Sequence, residues 1–263
     1  MASIRAGIGG WVYAPWRGVF YPEGLAQSRE LAHASRQVTS IEINGTFYGT
    51  QKRDSFLRWY EETPEGFVFS LKGPRFTTNR RVLAEAGESV DRFLGSGVLE
   101  LKEKLGPINW QMAATKAFDA PDFEAFLKLL PPERDGRKLR HVVEVRHASF
   151  VCPEFVALLR RYGVAAVVAD HASYPLLADV TAPFVYARLQ AASEGEPAGY
   201  SADALATWEK RATAWAKGKA PDDLPLIADR PPAARSRDVF IYMINGFKPK
   251  APAAAMALIE RLR

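Results

Sequence analysis

Val142-Val143-Glu144-Val145-Arg146 is the stretch on which the fold turns. Its β-branched residues suit a strand, and a strand's period of two puts Glu144 and Arg146 on one face and Val143 and Val145 on the other. Ser40-Ile41-Glu42-Ile43-Asn44 repeats the scheme, with Glu42 and Asn44 opposed to Ile41 and Ile43. Strands of a parallel sheet are covered on both faces, so an ionisable group inside one needs a reason. In a closed barrel the apolar set meets the surrounding helices. The polar set points inward and converges at the C-terminal mouth, where barrel enzymes place their chemistry.

Six further runs of the same kind complete the pattern: 5–9, 67–72, 108–111, 164–169, 183–189 and 239–244. Segments with helical spacing of apolar residues alternate with them, at 25–36, 53–61, 88–105, 120–130, 153–161, 201–215 and 251–262. Strand and helix in alternation indicate βα units on a parallel sheet. Eight units in 263 residues fit an α/β fold of the TIM type, a parallel eight-stranded (β/α)8 barrel whose usual length is about 250 residues. The unit after the sixth strand is irregular. A doubly wound sheet is the rival, but it rarely needs eight strands in one domain. The segment 219–237, rich in Pro, Ala and Arg, reads as a surface connection, because the last strand still needs sheet partners. Residues 1–263 therefore form one domain.

Composition agrees. With 48% hydrophobic, 25% charged and 11% aromatic residues the chain is that of a globular protein, not a disordered one. The single cysteine, Cys152, makes no internal disulfide. The first ten residues lack an apolar run of signal-peptide length, and the longest apolar stretch, 253–259, is too short to span a bilayer. The expectation is a cytoplasmic protein without membrane contact. The net charge of +5 hints at anionic partners, although Lys and Arg are spread over several small clusters, at 79–81, 134–140 and 230–237.

Polar residues crowd one end of the strands. Besides Glu42, Asn44, Glu144 and Arg146, the third strand ends at Lys72, the fourth at Gln111, the sixth runs into Asp170, the seventh holds Arg188, and the eighth meets Asn245. His147 follows Arg146. Burying several charges merely to fix register is a costly use of them, since even paired ions pay for desolvation. A site explains the one-sided placement.

Several blocks resemble the ordered motifs of the domain-of-unknown-function 72 family (YecE-like). They are Gly7-Ile8-Gly9-Gly10-Trp11 with Tyr13 and Trp16, Phe20-Tyr21-Pro22, Ile41-Glu42-Ile43-Asn44-Gly45-Thr46-Phe47-Tyr48, Phe67 to Lys72, Gln111, Val143 to His147, and Tyr186-Ala187-Arg188. The match runs from Ile4 to about Ala257. The resemblance implies a TIM-type barrel and no established activity. Three places depart from the family pattern: Ala113-Ala114 stands for Pro-Pro, Gln190-Ala191 for His-Gly, and Ile244-Asn245-Gly246 for Phe-Asn-Asn.

The residues favour an enzyme of hydrolase or lyase type acting on an anionic substrate. Arg146 and Arg188 offer planar forks for phosphate or carboxylate, and Lys72 a point charge. Glu42 and Glu144 could divide acid and base roles, with His147 and Asp170 as further proton-transfer groups. Asn44, Gln111 and Asn245 would orient the substrate, and Trp11, Tyr13, Phe47 and Tyr48 would stack on a ring. A metal held by Glu144, His147 and Asp170 is the weaker reading, because no HExxH or paired-Cys spacing occurs. Cys152, preceding Pro153 at a helix start, lacks an evident base. The glycine opening fails the dinucleotide fingerprint and no phosphate loop is present, so no cofactor is expected. The other functional class is a barrel that binds or processes nucleic acid, with arginines and aromatics at one opening. Oligomeric state is not legible.

Overall fold

The computed structural model describes residues 2–228 and 233–263. Eight parallel strands close into a barrel in sequence order: Ile4–Gly9, Ser40–Ile43, Val68–Lys72, Leu105–Gln111, His141–Glu144, Ala165–Asp170, Phe184–Leu189 and Asp238–Met243. The eighth pairs with the first, Gly7 opposite Tyr242, which shuts the ring. All eight expected strands are present, and residues 171–183 carry no helix, which is the irregular sixth unit. No helix among the described residues is long and apolar enough to cross a membrane.

The parity of the strand residues separates two apolar clusters. Ile41, Ile43, Leu71, Val143, Val168 and Ile241 belong to the larger one, packed between strands and helices. Val68, Val142, Val167, Phe184, Tyr186 and Tyr242 form the smaller one inside the barrel. Glycine sets the strand spacing at one point: a Cβ on Gly7 would stand 1.8 Å from the Ser40 carbonyl oxygen, so only glycine lets the first two strands approach. Pairing of the third and fourth strands shifts register between Phe69 and Leu71, beside Pro107, which brings no N–H to the ladder.

Two expectations need correction, and one element was not expected. The single helix over 88–105 is instead a helix at Gly87–Leu94, a glycine break, and short turns over Val98–Lys104. Gly97 sits at φ 110° against the Arg53 backbone, and apolar periodicity does not register such a stop. The segment 219–237 is not purely a surface connection. Ile227 and Ala228 donate backbone hydrogen bonds to Asp179, and Arg237 is buried; residue 230 of the basic cluster lies outside the described residues. The unexpected element is a small hairpin of Glu133–Arg134 and Arg137–Lys138 turned by Asp135 and Gly136, both at positive φ, a signal that Asp-Gly carries in the sequence.

Candidate functional site

Inside the barrel the side chains lie in storeys. Two serines face two tyrosines in the middle one. Ser40 Oγ donates to the Val68 carbonyl at 2.6 Å and lies 2.7 Å from the Tyr242 hydroxyl. Ser70 Oγ lies 2.6 Å from the Pro107 carbonyl and 2.8 Å from the Tyr186 hydroxyl. Toward the C-terminal end, Tyr186 donates to Glu42 Oε2 at 2.5 Å.

The next storey is ionic. Arg188 Nε and Nη2 donate to Glu42 Oε2 and Oε1 at 3.1 and 2.9 Å, while Nη1 donates to Glu144 Oε2 at 2.6 Å. Arg146 donates to Glu144 Oε1 through Nη2 at 2.8 Å and Nε at 3.1 Å, and Asn109 Nδ2 donates to Oε2 at 3.2 Å. Glu42, Glu144 and Arg188 are 0, 1 and 2% exposed, so these three are cut off from solvent. Burial alone would push the Glu144 carboxyl up, but Arg188, Arg146 and Lys72 outweigh it and hold it below the usual range. Burial disfavours the Arg188 charge, and Glu144 and Glu42 reverse that, fixing it as a cation.

Two carboxylates thus meet two guanidiniums, and Lys72 is left over. It is buried and makes no ion pair among the described residues. Its Nζ donates to Gln111 Oε1 at 2.6 Å and lies 4.0 Å from the centroid of the Phe47 ring. Burial, reinforced by the Arg188 charge, brings its pKa down to about 8. With Lys72 protonated the cluster carries one surplus positive charge. Arg146 keeps partial solvent contact and stacks on Tyr174, 4.5 Å from the ring centroid, and Tyr174 packs on the inner apolar cluster.

Glu42, Lys72, Gln111, Glu144, Arg146 and Arg188 are therefore brought together. Asp170 is not. It shares parity with Val168 and faces outward to the Tyr200 hydroxyl at 3.2 Å; burial raises its pKa against that bond. Nor is His147, whose ring accepts from the Ser149 backbone at the start of a turn. Asn245 is exposed and donates to Gln190 at 3.2 Å. Phe47 touches Lys72, whereas the next residue, Tyr48, is exposed. Trp11 packs edge-on against Trp59, and Tyr13 against Trp16. Asn44 is half-buried beside Gly9. Cys152 is half-buried at the start of helix Pro153–Tyr162. Among the described residues no three His, Cys, Asp or Glu side chains converge as metal ligands.

Three members of the cluster were not among the expected site residues. Asn109 and Tyr186 share parity with Gln111 and Arg188, so the rule that found Glu42 and Glu144 also points to them. Tyr174 lies in the irregular sixth unit and left no periodic trace.

Residues 5–263 match the family described as "Protein of unknown function DUF72". The chain belongs to the DUF72 family. It is 29% identical over 148 residues to the UPF0759 protein YecE of Escherichia coli, a stretch covering 56% of this chain and 50% of YecE. This DUF72 chain thus aligns with about half the length of that curated relative. Crystal structures of two DUF72 family proteins share the fold. One from Thermotoga maritima is 22% identical with a TM-score of 0.77, over 99% of each chain. One from Enterococcus faecalis is 17% identical with a TM-score of 0.69, over 100% of this chain and 99% of that one. Of the three departures from the family pattern, Gly246 has a local reason: its φ is +77°, and a Cβ there would stand 2.5 Å from the Ala192 backbone.

Proposed function

We propose that this barrel is an enzyme that binds a phosphate- or carboxylate-bearing small molecule at its C-terminal mouth and performs acid–base chemistry with the Lys72 amine. The carrying observation is the unmatched charge: every other ion in the cluster has an opposite partner, and Lys72 has only an amide oxygen and a ring face. An anion beside Lys72 supplies the missing charge, with Arg146 as second contact through the part of its guanidinium that Glu144 leaves free. A pKa near 8 keeps the amine exchangeable close to neutral pH, as a general acid or base requires. Glu42 and Glu144, locked by Arg188, act in this reading as positioning groups rather than as the acid and base themselves.

The test is calorimetric titration with sulfate and with inorganic phosphate. Saturable binding by the wild type, lost at least about tenfold in Lys72→Met and in Arg146→Ala samples that keep the native circular dichroism spectrum, supports the reading. Equal affinity in the variants refutes it.

A second reading has one specific support. A groove of about 400 Å³ lined by Thr78, Asn79, Arg80, Arg81 and Lys116 runs beside the mouth, near Arg75 and the exposed Phe76. Lys116 is neutralised by Asp122, but Arg75 and Arg81 have no ion pair among the described residues. A single-stranded nucleic acid would meet these arginines with its phosphates, and its affinity would then fall steeply with salt. Salt-independent or absent oligonucleotide binding removes this reading.

A further inference from the structure

A second cavity, of about 310 Å³, lies beside the barrel axis at the ends of the first two strands. Trp11, Tyr48 and Trp59 give it aromatic walls, and Gly9, Gly10 and Gly45 complete the lining, with open space where a Cβ on Gly10 would stand. Asn44, Gln51 and Lys248 bring polar groups to the same space. This volume is at the small end for ligand sites, which combine apolar walls with a few convergent polar groups.

Two side chains here are unspent. Asn44 precedes the short helix Gly45–Tyr48, where asparagine ordinarily caps, yet its side chain makes no capping bond. Its amide instead lies over Gly9, with Nδ2 3.0 Å from where a Cβ would stand. Lys248 is half-buried and forms no ion pair among the described residues. Its Nζ is held over the Tyr13 ring at 4.5 Å and the Trp16 ring at 5.7 Å, while its carbonyl accepts the Trp16 indole N–H at 3.1 Å. The ammonium is thus anchored by aromatic faces, which attract a cation without cancelling its charge. Burial lowers its pKa, an unfavourable position that a neighbouring anion would relieve.

We propose that this cavity binds a small ring-bearing acid, an aryl or heteroaryl carboxylate or phosphate, with the ring between Trp11 and Tyr48, the acid group on Lys248 and a polar ring substituent on Asn44. The site is distinct from the one around Lys72. Phe47 turns to Lys72 and the adjacent Tyr48 lines the cavity, so one turn of helix separates them.

Benzoate and phenyl phosphate are the probes, followed by saturation-transfer NMR and calorimetry. Acetate and inorganic phosphate serve as ring-free controls, and benzyl alcohol as the uncharged one. The expected result is saturable binding of both probes, at least about tenfold tighter than benzyl alcohol. Lys248→Gln should weaken benzoate by a similar factor and leave benzyl alcohol unchanged. Tyr48→Ala, at a side chain 69% exposed and safe for folding, should weaken both. In Lys72→Met, which lacks the mouth site, the Lys248-dependent benzoate binding should persist, so that failure of the mouth site and failure of this one are told apart. No saturable binding of either probe overturns the proposal. So does benzoate affinity that survives Lys248→Gln intact, or benzoate binding that vanishes altogether in Lys72→Met.

Discussion

Arg188 grips Glu42 by two bonds across 146 positions of sequence, and the strands that carry them are not neighbours in the barrel. The fork therefore crosses the barrel interior. A second crossing from the same guanidinium reaches Glu144, so one side chain ties three strands together near their C-terminal ends.

Removing one ion of a buried set leaves its partners uncompensated. Arg188→Met should cost about 3–5 kcal/mol in urea denaturation. Combining it with Glu42→Gln and Glu144→Gln should recover much of that loss. A small effect of the single change would mean that water replaces the guanidinium.

Anion binding at the mouth should depend on pH through Lys72. The amine must be protonated to attract an anion, so affinity is full below a pKa of about 8 and falls by about tenfold per unit above it. Sulfate, whose charge is constant over this range, is the probe. Lys72→Arg should move the fall to far higher pH.

Tyr174 sits on Arg146, the partner of Glu144, and on the inner apolar cluster. Tyr174→Ala should speed acylation of Lys72 by an amine-reactive reagent, followed by peptide mass spectrometry, while changing thermal stability by only a few degrees. An unaltered rate would show that the sixth loop does not control access.

His141 gives a separate acid signature. Its Nδ1 accepts from Trp110 Nε1 at 3.1 Å and its Nε2 lies 2.8 Å from the Pro131 carbonyl, an arrangement that a neutral ring satisfies. Burial lowers its pKa from 6.5 to about 4. Between those values the unfolded chain binds a proton that the native chain refuses. Stability is thus complete above about pH 6.5 and falls as pH drops to about 4, by roughly 3 kcal/mol. His141→Gln should flatten this part of the profile relative to wild type.

Strand positions were legible because each apolar run is short, bounded and followed by helical spacing. Parity also assigned Glu42 and Asn44, and Glu144 and Arg146, to the interior, while Lys72 and Arg188 were found by their place near the strand ends. The same rule puts Asp170 outside with Val168, where the structure finds it against Tyr200. The glycine break at Gly97 was obscured because a left-handed residue interrupts a helix without changing its apolar rhythm.

Alternation along the chain determined by itself which side chains enter the barrel, because a strand's two faces are fixed by its period. Only closure of the barrel decided who pairs with whom, since Arg188 meets both glutamates through an interior that no local pattern describes. The same closure left Lys72 as the surplus charge. It takes Glu42, Lys72, Glu144 and Arg188 out of water and leaves Arg146 at the edge, and the balance among the five ions exists only when their strands stand around one axis.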